Sequence, residues 1–304
     1  MAILQIRHLT TYRYRKPVRF GEHRLMVRPK ESYDQRVLSM SLNISPEPVE
    51  VRNVHDVFGN CVGIVNFDRP ADTLSFESLV LLEHNPAPLA PDAEEAIGPT
   101  SSATFPFSYS AEDLPDLARS IERNHRDPGG LVSAWARSFV RWNGSTPVLE
   151  LLTAMTRTIH AEFTYSRRIE AGAQSPTETL RAKSGACRDF AILMIEAARS
   201  LGLAARFVSG YIYTPPRQGD APTYNGGGHT HAWVQVYLPS CGWVEFDPTN
   251  GIVGNRDLIR VAVVRDPRQA IPLSGTWDGE RDDYVGMDVE VDLQEQSGAL
   301  PKVA

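Results

Sequence analysis

His231-Ala232-Trp233-Val234-Gln235-Val236-Tyr237-Leu238 and Trp243-Val244-Glu245-Phe246-Asp247-Pro248-Thr249 are two runs rich in β-branched and aromatic residues, separated by Pro239-Ser240-Cys241-Gly242. Such runs on either side of a short Gly-containing turn read as an antiparallel hairpin. With the turn centred near Ser240 and Cys241, the side-chain period of two puts His231, Trp233 and Gln235 on one face of their strand. Trp243, Glu245 and Asp247 then share one face of theirs. His231 and Asp247 fall near the same open end of the hairpin. A carboxylate placed there can hold the imidazole N–H, fix its tautomer and stabilise the imidazolium.

A nucleophile for such a pair stands upstream, in Lys183-Ser184-Gly185-Ala186-Cys187-Arg188-Asp189-Phe190, where a Gly-containing turn enters a helix. A thiol in the first helical turn meets backbone N–H groups without helical partners and the positive end of the helix dipole, and both favour thiolate. The same N–H groups can donate to an oxyanion when the thiolate attacks a carbonyl. The plainer alternative is that Cys187 is a small buried hydrophobe, the usual fate of an isolated cysteine.

Taken in order, GACRDF at a helix start, HAWVQVY on a strand and GWVEFDPTN on the next resemble the core of the transglutaminase-like superfamily, over about Tyr165 to Gly251. The strand-rich first half is similar to the bacterial subfamily that carries an N-terminal β domain ahead of that core. The resemblance implies papain-like nucleophilic chemistry, with Cys187 as nucleophile, His231 as general base and acid, and Asp247 as the orienting carboxylate. Members of the superfamily cross-link proteins, cleave peptides or remove glycans, and some have lost activity, so the resemblance speaks to chemistry more than to substrate.

Other residues compete for roles. His229 lies on the same strand face as His231 and could replace it by spacing alone, but the HAW context favours His231 and leaves His229 a rim or substrate contact. Tyr165 falls where related cores place a strand or loop near the cleft, and is weighed as an oxyanion donor against a packing role. Trp233 is weighed as a core or cleft-wall aromatic. Arg188 and Asp189 read as helix-start charges. The Gly-rich segment 220–228 is a candidate substrate flap.

Outward from the core, residues 3–84 read as short strands at 3–6, 23–27, 37–42, 61–65 and 78–82. Prolines crowd 85–100 and mark a linker. Helices follow at 111–125, 131–142 and 147–162, the last capped by Thr146, with a short helix opening on a Ser175–Glu178 capping box and another running from Gly185 to about Ser200. Strands close the chain at 206–213, 231–238, 243–247 and 258–264. The expected fold class is α+β: an antiparallel β domain (1–85), a linker and helical connection (86–145), a catalytic core with the nucleophile helix packed on an antiparallel sheet (146–270), and a C-terminal strand or tail (271–304).

The 304 residues, 42% hydrophobic and 22% charged with net charge -6, suit two globular units and offer no basic face for nucleic acid. The start shows no secretory pattern and no apolar run approaches the roughly 18–20 residues that span a bilayer. Three scattered cysteines cannot build a disulfide framework, so a reducing, cytoplasmic setting is expected. Hydrolysis of a peptide or protein amide is the expected activity, with amine acceptors making acyl transfer the alternative. Two readings from other classes are a zinc site built from Cys187, His229, His231 and Asp247, and a silent binding or scaffold protein. The triad needs no cofactor, and oligomeric state is left open.

Overall fold

The structure is a computed structural model and describes residues 2–86, 104–166, 172–214, 224–239 and 241–296. Most of the proline-rich linker, 87–99, lies outside the described residues, as does the 220–223 part of the expected flap.

Strand β1 (Ala2–Leu25) runs 24 residues, across the gap between the strands expected at 3–6 and 23–27. Leu4, Ile6, His8 and Thr10 alternate into the interior. The two polar members are satisfied there: His8 Nδ1 lies 2.8 Å from Tyr211 Oη and Thr10 Oγ1 3.2 Å from His8 Nε2. A strand can therefore continue without an apolar signal, because its buried polar groups find partners. Strands β2 (Gln35–Ser45), β3 (Glu50–His55), β4 (Cys61–Asn66) and β5 (Ala71–His84) complete an antiparallel sheet in the order β2-β5-β1-β4-β3. β5 pairs with Ala2–Arg13 and β4 with His23–Leu25. Register shifts along β1, between Arg13 and Val18 and between Phe20 and His23, bend the strand in the manner of β-bulges, so it serves both halves of the sheet.

Two short pairings join the helices to this framework: β6 (Thr104–Phe105) with β7 (Thr146–Pro147), and β8 (Thr164–Tyr165) with β9 (Ser184–Gly185). Helices α1 (Asp113–Ile121) and α2 (Leu131–Arg137) are shorter than the spans expected from periodicity. Val132 and Ala136 of α2 are fully buried in the main core, so this part of the expected connection packs with the unit expected to be the catalytic core. Helix α3 (Val148–Glu162) starts on Pro147 without a side-chain cap. Thr146, expected to cap it, instead accepts a 2.8 Å hydrogen bond from Arg141 N. Helix α4 (Pro176–Ala182) opens on the Ser175–Glu178 capping box.

Helix α5 (Cys187–Ser200) lies at the centre. Gly185 before it has no room for a side chain, since a Cβ would stand 2.8 Å from Asp189 Cβ. The helix ends in a Schellman arrangement, with Gly202 at φ +80° and Leu203 N donating to Ala198 O. Its apolar face, with Phe190, Leu193, Met194 and Ala197, packs against Phe207, Val234, Val236 and Phe246.

Those four residues belong to the second sheet: β10 (Ala205–Ile212), β11 (His231–Leu238), β12 (Gly242–Asp247), β13 (Ile252–Val253) and β14 (Leu258–Val264), antiparallel in the order β13-β12-β11-β10-β14. The hairpin register, Tyr237↔Trp243 and Gln235↔Glu245, centres its turn at residue 240. The expected C-terminal strand or tail supplies two strands to the first sheet: β15 (Leu273–Asp278) and β16 (Tyr284–Glu295) both pair with β1. The two sheets meet where Leu4, Ile6, Val80 and Leu82 pack on Tyr211, Ile259 and Val261. The outer edge of β14 is closed by side-chain amides. Gln35 Nε2 donates to Arg260 O (2.7 Å) and Gln35 Oε1 accepts from Arg260 N (3.1 Å), while Asn60 pairs likewise with Val263. A paired edge offers no template for another chain. Arg260 itself is buried between Asp34 and Glu245.

Candidate active site

The site is built around a turn. β12 ends at Asp247, and the backbone then doubles back through Pro248-Thr249-Asn250-Gly251, with Gly251 at φ +69°. Asp247 Oδ1 accepts from Thr249 N at 2.9 Å, the local hydrogen bond for which Asp is favoured in turns. Its Oδ2 faces β11, where His231 is the first residue, and lies 2.8 Å from His231 Nε2. Both side chains have no solvent exposure. A hydrogen bond at that distance to a buried carboxylate fixes which imidazole nitrogen carries the proton and leaves Nδ1 as the edge available for chemistry.

Charge follows from the geometry. Burial opposes a charged imidazole at His231, but the Asp247 carboxylate outweighs it by charge and hydrogen bond, and Cys187 adds to the effect, so the imidazolium is favoured well beyond the ordinary histidine range. Burial likewise opposes ionised Asp247, yet His231, Asn250 and the Thr249 N–H together hold its carboxyl below the usual range. Cys187 is the first residue of α5 and half-buried. Among the described residues His231 Nδ1 is buried without a formed hydrogen bond.

The start of α5 is held by the residue expected to be a helix-start charge. Asp189 is buried, and its carboxylate accepts from Ala186 N (2.9 Å) and Gln174 N (2.7 Å). That leaves the first-turn amides around Cys187 with no carbonyl inside the helix to pair with. The parallel bridge Tyr165↔Gly185, with Ser166 N donating to Gly185 O at 2.9 Å, sets Tyr165 beside this turn. Arg188 Nη1 reaches Gly172 O at 3.3 Å.

The remaining candidates divide. His229 lies on the loop before β11, its backbone N donating to Gly226 O at 3.3 Å, and it is His231 that meets Asp247. Trp233 does not line a cleft: it is fully buried in a cluster with Val208, Ile212, Leu258 and Val263, and its ring lies 5.9 Å from that of His231 at 27°. Alternation on a strand whose two faces are both covered cannot separate cleft from core, which is why hydropathy left this open. The zinc reading fits poorly. Asp247 Oδ2 is taken up by His231 and Asn250, and no cluster of three or more His, Cys, Asp or Glu among the described residues is arranged to hold a metal.

Two residues of the site escaped the sequence. Asn250 Nδ2 donates to Asp247 Oδ2 at 2.8 Å and lies 3.4 Å from His231 Nε2. Gly226, at φ +95°, lies so close to the imidazole that a Cβ there would be 2.7 Å from His231 Nδ1. Asn250 stood in the quoted GWVEFDPTN motif, three residues after the carboxylate, and that spacing inside a turn was its available signal.

Residues 133–248 match the family model described as Transglutaminase-like superfamily, and residues 4–83 match that described as Bacterial transglutaminase-like N-terminal region. An uncharacterised protein of Mycobacterium tuberculosis is 30% identical over 305 residues, covering 95% of this chain and 91% of its own length. One of Mycobacterium leprae is 24% identical over 290 residues, covering 91% and 93% respectively. Among solved structures, a candidate cysteine protease of Cytophaga hutchinsonii superposes with a TM-score of 0.66 at 18% identity, covering 99% of this chain and 92% of its own. That likeness is one of fold.

Proposed function

This chain belongs to the transglutaminase-like superfamily, and from that premise we propose that it hydrolyses an amide or peptide bond of a peptide or protein through a thioester on Cys187. The Cys187 thiol passes its proton to His231, the sulfur attacks the carbonyl carbon, and the oxyanion is met by first-turn N–H groups of α5. The C–N bond then breaks, and the leaving amine takes its proton from His231. Water attacks the thioester, gives a proton to His231, and the sulfur departs, so the acid is released and the thiol restored. Asp247 keeps Nε2–H fixed throughout and balances the imidazolium.

The observation that supports this reading is the buried 2.8 Å contact between His231 Nε2 and Asp247 Oδ2, with the ring also under the influence of Cys187. The proposed compartment is the cytoplasm, since Cys61, Cys187 and Cys241 are all unpaired; cell fractionation tests it.

The decisive experiment is to trap the thioester. Incubation with a library of amides and peptides, an acid quench and peptide mapping by mass spectrometry should place an acyl group on Cys187. The His231→Ala protein should accumulate none. A primary amine added in parallel separates water from amine as the acceptor: amide product in place of free acid would make the protein an acyltransferase. Acylation that falls on Cys61 or Cys241, or that survives in Cys187→Ala, would remove the basis for the proposal.

A further inference from the structure

The segment 224–228 crosses the Nδ1 edge of His231 and is fastened at three points, each to a different part of the fold. Tyr224 Oη donates to Asp257 Oδ2 at 2.8 Å, ahead of β14. Gly228 O accepts from Val291 N at 3.1 Å, so an edge strand of the first sheet reaches the catalytic unit here. Between them, Asn225 is gripped through its backbone by one side chain: Asn225 N donates to Asn250 Oδ1 at 2.8 Å, and Asn250 Nδ2 donates to Asn225 O at 3.2 Å.

Of these fastenings among the described residues, the middle one also touches the triad. The amide nitrogen of Asn250 that reaches Asn225 O also donates to Asp247 Oδ2, the oxygen that receives His231 Nε2. One side chain thus acts on the ring from two directions. Through Asp247 it fixes the Nε2 side; through Asn225 it sets the chain on which Gly226 lies against Nδ1. Gly226 has to be glycine for the same reason: φ is +95° and the place of a Cβ is taken by the ring.

We propose that Asn250 is a positioning residue, which sets the His231 ring toward Cys187 by sharing the Asp247 carboxylate and by tying the 224–228 segment across Nδ1. The inference rests on the triad reading above, and its test separates the two.

The probe is iodoacetamide at limiting dose, read at each of the three cysteines by peptide mapping across a range of pH. The parent protein should label Cys187 fastest, and His231→Ala should lose that advantage. Asn250→Ala should slow Cys187 by about tenfold, the effect of losing one hydrogen bond to a charged group. Its pH profile should move upward, with Cys61 and Cys241 unchanged. Asn250→Asp keeps an acceptor for Asn225 N but sets a second carboxylate beside Asp247, so it should not rescue. Gly226→Ala should slow Cys187 from the other side of the ring. Because both changes act on one ring, the double variant should be less impaired than the product of the single effects. A low-field imidazole N–H proton resonance, present in the parent, should weaken in Asn250→Ala.

A merely structural Asn250 would lower the melting temperature and leave the rate, profile and resonance of the folded protein where they were. That result, with His231→Ala still slow, overturns the proposal and spares the triad. Equal labelling in parent and His231→Ala overturns the triad itself. Should Asn250→Ala fail to fold, Gly226→Ala carries the test, and a parent-like rate there overturns the proposal.

Discussion

His8 is the place where acid should loosen the joint between the two sheets. It lies on β1, 3% exposed, with Nδ1 against Tyr211 Oη of the catalytic sheet and Nε2 against Thr10. Burial lowers its pKa from 6.5 to about 4. The unfolded chain therefore takes up the proton first as pH falls. The stability that depends on a neutral His8 is whole above pH 6.5, drains away between about 6.5 and 4, and is constant below. At 1.36 kcal/mol per pKa unit the full loss is about 3 kcal/mol, of which about 2.5 is spent by pH 4.5. His23 and His84 are lowered by burial as well and push in the same direction, whereas His231, raised, contributes stability below pH 6.5 that is lost only as pH climbs through its folded pKa. The total curve cannot isolate one histidine, but a difference can. His8→Gln keeps a donor and an acceptor and does not titrate. Denaturant titrations at pH 8 and pH 4.5 should show it gaining about 2.5 kcal/mol relative to the parent on acidification, whatever its cost at pH 8. Parent and variant curves that stay parallel between those pH values would refute the argument, and would mean that water or a shift of β1 relieves the protonated ring.

Asp247→Asn should keep the fold, because an amide fits the same turn, yet lower acylation of Cys187 by roughly 10²–10⁴ through loss of the imidazole tautomer. His231→Ala should be at least as damaging and His229→Ala milder, read as acyl-enzyme formation by mass spectrometry; the reverse order would move the base to His229. Glu196 is fully buried, accepting from Arg199 Nη1 (3.1 Å) and Asn124 N (3.0 Å), so Glu196→Ala should cost about 3–5 kcal/mol by stranding a buried guanidinium. A loss under 1 kcal/mol in urea titration would show that Arg199 is satisfied by its carbonyl partners alone.

How far the sequence carried depended on whether an element declares itself locally. The hairpin 231–247 did: both strands are rich in β-branched and aromatic residues, Gly242 stands at φ +72° where the second begins, and the register follows from turn length. Helix α5 did too, with Gly185 before it and Gly202 after it. β1 did not, because its inward positions include the polar His8, Thr10 and His23, and the partner that satisfies His8 is Tyr211, about two hundred positions away. The pairing of the closing strands stayed hidden for a related reason. β16 alternates Val289, Val291 and Leu293 with Asp288, Glu290 and Asp292, and its acidic face is answered by Arg7 and Arg13 of β1. Nothing near residue 290 says that its partner is the first strand of the chain. Thr146 failed in the opposite way: it has the chemistry of a cap, but Arg141 N claimed its hydroxyl first.

The same division runs through the site and explains its asymmetry. Cys187, His231 and Asp247 each lie within a short motif whose backbone already says what the side chain is for: a helix start, the mouth of a strand, the end of the next. What holds the three together is not local. Asp189 anchors the nucleophile turn to Gln174, fifteen residues back, and Asn250 anchors Asn225, twenty-five residues back. β16 reaches from the first sheet to Gly228. A chain could therefore keep Cys187, His231 and Asp247 and still lose the arrangement on which the proposed chemistry depends. Substitutions at 189, 226 or 250 should then produce proteins whose triad is complete in sequence and slow in practice.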